Sequence, residues 1–265
     1  MKNVTIERLK SIKAEGKKFA VITAYDYSFA KLIDEAEIEV TLVGDSLGNV
    51  IQGQETTLPV TIDEMAYHTA NVNRGISTSL IVADMPFMSY ATIPQALENA
   101  AILMQAGAQM VKLEGGEWLA ETVHALTERG IPVCGHLGLT PQSVHKLSGF
   151  KVQGKNTEAA DKMLDEAKLL EEAGADLLVV ECIPSSLGEA LAKNLAIPVI
   201  GIGAGPATDA QVLVLQDMLG ISAKPPKFAK NYLLKESNIQ NALKAYRKEV
   251  HSGEFPSAEH GFYDI

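Results

Sequence analysis

The feature that most restricts the fold is a short, β-rich apolar run followed by a longer helical stretch, repeated along the chain. The runs are FAVITAY (Phe19 to Tyr25), VTLVGDS (Val40 to Ser46), LIVADMP (Leu80 to Pro86) and MVKLEGG (Met110 to Gly116). They continue with IPVCGHLG (Ile131 to Gly138), LLVVECIP (Leu177 to Pro184), IPVIGIGAG (Ile197 to Gly205) and VLVLQD (Val212 to Asp217). Strands alternating with helices form a parallel sheet through right-handed crossovers, and strands that are apolar throughout are buried on both faces. Eight such units in 265 residues suit a closed (β/α)₈ TIM barrel better than an open doubly wound sheet.

The intervening segments have helical spacing. PQALENAAILMQAGA and AADKMLDEAKLLEEAGA both end in Ala-Gly-Ala just before the next strand, where Gly supplies a left-handed helix cap. The seventh unit is the exception: so few residues separate Gly205 from the last run that its helix must be short or absent. No Pro/Gly/Ser-rich linker divides the chain, so residues 1–265 read as a single catalytic domain with an N-terminal helix ahead of the first strand. The tail from Pro225 is Lys-rich, then helical (SNIQNALKAYRKEV), and is expected to pack on the barrel or on a neighbouring subunit.

A formal net charge of −10 with no long basic cluster argues against nucleic acid as a partner, because phosphate binding needs a concentrated positive face. No apolar window approaches the length of a membrane span, and the N-terminus lacks a signal-peptide core, which points to a cytoplasmic chain. The two cysteines, Cys134 and Cys182, fall in apolar strand-like runs and read as buried, reduced thiols.

In a barrel, chemistry collects at the C-terminal ends of the strands. Asp45 and Ser46 end the second run, Asp84 the third, Lys112 and Glu114 the fourth, His136 the fifth and Glu181 the sixth. A single charge at a strand end is ordinary; polar residues at successive ends are not. Residues two apart on a strand share a face, so Lys112 points with Glu114, and Cys134 with His136. His136 stays open between substrate contact and packing. His68, His124 and His145 read as surface or packing residues, and Thr140 to Ser143 (TPQS) as a structural helix start. The series GIGAGP (Gly201 to Pro206) fails to complete a dinucleotide fingerprint, so its glycines either admit a ligand to the backbone or relieve crowding.

Several carboxylates with no thiolate and few histidines describe a hard-cation site. Magnesium takes one or two protein carboxylates and keeps waters and substrate oxygens as its other ligands. Asp45 and Asp84 are the natural direct ligands, and Glu114 could hold a metal-bound water. A 2-oxo acid would chelate such an ion, Lys112 would neutralise its carboxylate or a developing enolate, and Glu181 would act as the base.

The segments FAVITAYDYSFAKLIDEA, VGDSLGNVIQG, TLPVTIDEMAYHT, ADMPFMSY, MVKLEGG, VCGHLGLTPQSVHKLSGFKVQG and PVIGIGAG resemble the ketopantoate hydroxymethyltransferase family essentially end to end. The resemblance implies transfer of a hydroxymethyl group from 5,10-methylenetetrahydrofolate to 3-methyl-2-oxobutanoate, giving 2-dehydropantoate in pantothenate and coenzyme A biosynthesis. It further implies Mg2+ on Asp45 and Asp84, a metal-associated Glu114, substrate contacts from Ser46 and Lys112, and Glu181 as proton acceptor. A homo-oligomer, typically a decamer, is implied as well. Two rivals make contrary expectations. A carbon–carbon lyase of the isocitrate-lyase and phosphoenolpyruvate-mutase type would carry a reactive Cys on a loop, and a non-catalytic binding barrel would have lost ligands or base.

Overall fold

A computed structural model describes residues 3–263, in which eight parallel strands close in sequence order, β1 pairing with both β2 and β8. The strands are β1 Phe19–Thr23, β2 Val40–Val43, β3 Leu80–Asp84, β4 Met110–Glu114, β5 Val133–Gly138, β6 Leu177–Glu181, β7 Val199–Ile202 and β8 Ala210–Leu213. Nearly all of their residues are buried, as strands covered by helices outside and side chains inside must be. The expected N-terminal helix is Ile6–Ala14, its first turn capped by the Thr5 side chain.

Local chemistry sets the helix ends. Helix Ile62–Gly75 starts on a capping box in which Thr61 and Glu64 satisfy each other's backbone N–H groups. Helix Ile93–Ala106 begins with Thr92 as cap and Pro94 in its first turn, and stops at Gly107, whose φ of 115° is the left-handed conformation the Ala-Gly-Ala pattern required. The other such segment, in helix Thr157–Glu172, reaches the same conformation one residue past its cap, at Gly174.

Both ends of the eighth strand differ from the sequence reading. Among the described residues no helix joins β7 to β8, in line with the short spacing there. The eighth strand, however, begins at Ala210 and ends at Leu213, and Leu215–Met218 forms a short helix. Gln211, just ahead of the run that starts at Val212, is a buried strand residue whose amide donates to the Gly205 carbonyl and the Thr208 hydroxyl. The strand then ends because the Leu215 N–H turns back to Thr23 Oγ1.

Helix Ile239–Ser252 packs on the barrel wall over the seam between β1 and β8. There the Tyr246 hydroxyl lies 2.8 Å from the carbonyls of both Val21 and Gln211. Among the described residues no helix is long and apolar enough to cross a membrane.

Candidate active site

The sheet register explains why the polar residues meet. Asp84 lies opposite Lys112, Glu114 opposite His136, and Gly138 opposite Glu181, so adjacent strands bring these side chains to one end of the barrel. Lys112 Nζ stands 2.9 Å from Asp84 Oδ1 and 3.8 Å from Glu114 Oε1. His136 bridges two carboxylates, with Nδ1 3.3 Å from Glu114 Oε1 and Nε2 3.4 Å from Glu181 Oε2. Asp45 and Ser46 sit just past β2, in the turn that enters a short helix, rather than in the strand itself. The Asp45 N–H donates to Asp84 Oδ2 (3.0 Å), and Ser46 shares a 2.8 Å hydrogen bond with the Tyr25 hydroxyl.

Asp45, Asp84, Lys112, Glu114 and His136 are all buried, while the Glu181 side chain keeps 14% of its surface exposed. Burial at this depth makes every charge depend on its neighbours. It opposes the Lys112 ammonium, yet Asp84, Glu114 and Asp45 outweigh it and hold Lys112 firmly cationic. For His136, burial and Lys112 both disfavour the imidazolium, but Glu114 and Glu181 prevail and raise it to about 9. Burial likewise works against the Glu114 carboxylate, and His136, Lys112 and the Gln142 N–H overcome it, so that its carboxyl lies below the usual range. Asp45 goes the other way: burial, then Asp84 and Glu114, push its carboxyl well above that range.

Four carboxylates thus face two basic side chains in one place. A divalent cation would relieve that crowding of carboxylates and favour the Asp45 anion, which burial, Asp84 and Glu114 oppose. Among the described residues no three carboxylate, imidazole or thiolate side chains converge to hold an ion.

A cavity of about 160 Å³ opens above this cluster. Thr23, Leu42, Val179, Ile202 and Val212 form apolar or weakly polar walls, Phe150 and Phe228 line its edges, and Ser46, Asp84, Lys112, His136 and Glu181 face it. A small polar molecule with an apolar branch fits such a surface.

Two readings need correction. TPQS is more than a helix start: among its residues Gln142 is buried in the site, donating from its backbone to Glu114 and from its side chain to Asp45. The Thr140 side chain makes no capping bond there. Cys182 lies just beyond β6 rather than in it, in a left-handed conformation (φ 48°). Both thiols are buried, and that burial pushes Cys134 up to about 12 and Cys182 upward as well. Of the two readings of the glycine series, crowding explains Gly203 and Gly205, where a Cβ would fall within 2.8 Å of the Phe228 ring and 2.5 Å of Ser185. His68 packs against the Tyr25 carbonyl through Nδ1, while His124 and His145 are exposed.

The family model for ketopantoate hydroxymethyltransferase matches residues 3–258. The 3-methyl-2-oxobutanoate hydroxymethyltransferase of Shewanella sp. (strain ANA-3) is 63% identical over 263 residues, covering 99% of this chain and 100% of its own. A protein of the same name from Alteromonas mediterranea is 58% identical, with the same coverage. Among solved structures, phosphonopyruvate hydrolase superposes with a TM-score of 0.63 at 13% identity, over 83% of this chain and 84% of that one. For 2,3-dimethylmalate lyase, a PEP mutase/isocitrate lyase superfamily member, the TM-score is 0.57 at 13% identity, over 93% and 95%. At that identity the likeness is one of fold. The near-complete match to the family model and to relatives of this similarity makes the chain an enzyme, a transferase, and a member of the ketopantoate hydroxymethyltransferase family.

Proposed function

We propose that the hydroxymethyl donor is 5,10-methylenetetrahydrofolate, that the acceptor is 3-methyl-2-oxobutanoate, and that the reaction uses a magnesium ion held by Asp45 and Asp84, with Glu114 binding one of its waters. The observation that carries this reading is the buried surplus of carboxylate charge around Asp45, beside a small cavity with Glu181 on its rim. When bound, the ion withdraws electron density from the substrate keto oxygen and so acidifies the neighbouring C–H.

The chain's own residues do the rest. Lys112, held cationic, and the Ser46 hydroxyl orient the substrate carboxylate and oppose negative charge as it develops. Glu181 takes the proton from C3, and His136, set between Glu181 and Glu114, orients the Glu181 carboxylate through Nε2. Water hydrolyses the methylene bridge, which releases tetrahydrofolate and leaves the one-carbon unit as formaldehyde. The C3 carbanion, delocalised as its enolate, attacks the formaldehyde carbon, and the alkoxide so formed takes the proton that Glu181 removed. The apolar walls at Leu42, Val179, Ile202 and Val212 match the two methyl groups of the acceptor.

The test is deuterium exchange at C3 of 3-methyl-2-oxobutanoate, followed by NMR with magnesium and without folate. Metal-dependent exchange, lost in Asp84→Ala and Glu181→Gln, is the expected result. Absence of exchange, even with tetrahydrofolate present, would sink both the substrate and the base.

A further inference from the structure

Two carboxylates that share a buried cavity repel each other, so something must impose their separation. Asp45 comes from the turn after β2, and Glu114 ends β4. Gln142, on the loop after β5, spans the two. Its side-chain Nε2 donates to Asp45 Oδ2 (2.8 Å) and to the Met85 carbonyl (3.0 Å), and its backbone N–H donates to Glu114 Oε2 (3.0 Å). Its Oε1 accepts from the Tyr90 hydroxyl at 2.5 Å. Tyr90 in turn accepts from the Glu114 N–H at 3.3 Å.

Only one orientation of the Gln142 amide satisfies this set. Reversed, its oxygen would face the Asp45 carboxylate and the Met85 carbonyl, both of them acceptors. Both amide hydrogens and the amide oxygen are thereby used, in a buried setting where an unmade bond is costly. Gln142 also holds one oxygen of Asp45 and one of Glu114, while Glu114 Oε1 is left to His136 and Lys112.

We infer that Gln142 is a positioning residue, fixed by Tyr90, that sets the spacing and rotation of Asp45 and Glu114 for the reaction. The inference rests on the proposed roles of those two carboxylates. Partners of this kind are worth about 10- to 100-fold in metal affinity or activity.

The experiment measures Mn2+ affinity by electron paramagnetic resonance, in the absence of substrate, together with C3 exchange in Gln142→Met, Tyr90→Phe and the double variant. Gln142→Met is expected to weaken Mn2+ binding and slow exchange by about 10-fold or more. Tyr90→Phe should move both readouts the same way by less, and the double variant should lose less than the sum of the two, because Tyr90 and Gln142 share a hydrogen bond. Wild-type-like affinity and exchange in folded Gln142→Met would overturn the inference, as would fully additive losses. Should Gln142→Met fail to fold, Tyr90→Phe decides alone: unchanged readouts overturn the role, and a loss in both with the melting temperature retained supports it. Wild-type protein that binds no Mn2+ yet exchanges deuterium would remove the metal reading only. The exchange rates would then judge Gln142. Wild-type protein with neither property would overturn both.

Discussion

Gly138 and Glu181 face each other across the β5–β6 seam so closely that a Cβ on Gly138 would lie 2.3 Å from the Glu181 carbonyl oxygen. Gly138 also has a φ of 89°, and the next residue, Leu139, donates its N–H to that same carbonyl. The backbone carrying the proposed base is therefore gripped by a residue that tolerates no side chain.

Gly138→Ala should strain this contact twice, through the left-handed φ and through the clash, at a combined cost of about 1–3 kcal/mol. Displacing Glu181 by about 1 Å should lower C3 exchange by about 100-fold. Urea denaturation and the NMR exchange assay read the two effects separately. Unchanged exchange would show that Glu181 needs no such grip.

Lys112 is the ammonium that faces Asp84, Glu114 and Asp45 in the buried cluster. Replacing it with Met keeps its bulk and strands the carboxylates. Removing one partner of a buried pair costs about 3–5 kcal/mol, so Lys112→Met should show that loss in denaturant at neutral pH. Added Mg2+ should restore part of it, since a cation would again offset the acidic surplus. Wild-type stability in the variant would refute the electrostatic account of the cluster.

A second buried carboxylate makes a pH prediction away from the site. Burial works against the Glu39 carboxylate, but His251, the Ala20 N–H and Arg247 prevail and hold its carboxyl below the usual range. A depressed folded value means the contribution to stability is full above the unfolded value near 4.5 and disappears as pH falls through the folded one. Glu39→Gln should thus lose about 1.5–3 kcal/mol at pH 7, the range for hydrogen bonds to charged groups, with the gap to wild type narrowing steadily below about pH 4.5. A gap constant with pH would contradict the assignment.

Neither thiol should react at neutral pH. Cys134 and Cys182 are buried, and burial disfavours both thiolates, the reactive form. An aromatic disulfide reagent should therefore label no cysteine in the native enzyme and both in denaturant. Rapid labelling of one thiol in the native state would revive the lyase alternative with a reactive Cys.

Much of this site was readable from sequence because Asp84, Lys112, Glu114, His136 and Glu181 interrupt strands that are otherwise apolar, and a barrel sends strand ends to one face. Gln142 and Tyr90 gave no such signal. Each lies in a loop segment where a polar or aromatic residue is unremarkable, and each acquires a role only when closure brings those loops over β2 and β4. The start of β8 was obscured because Gln211, a polar residue, stands ahead of the apolar run, and its partners Gly205 and Thr208 are visible only in the fold. The cavity edge at Phe150 and Phe228 was illegible because both residues fall outside the strand pattern.

The β8–β1 seam dictates an order of events during synthesis. Leu215 bonds to Thr23 from 192 positions away, and Tyr246 to Val21 from 225. Until β8 is available, any sheet formed by the earlier strands leaves the edge of β1 unpaired. Unpaired edges recruit strands from other chains, so the unfinished barrel is the aggregation-prone species, and the final helix, by laying Tyr246 across the seam, ends that exposure.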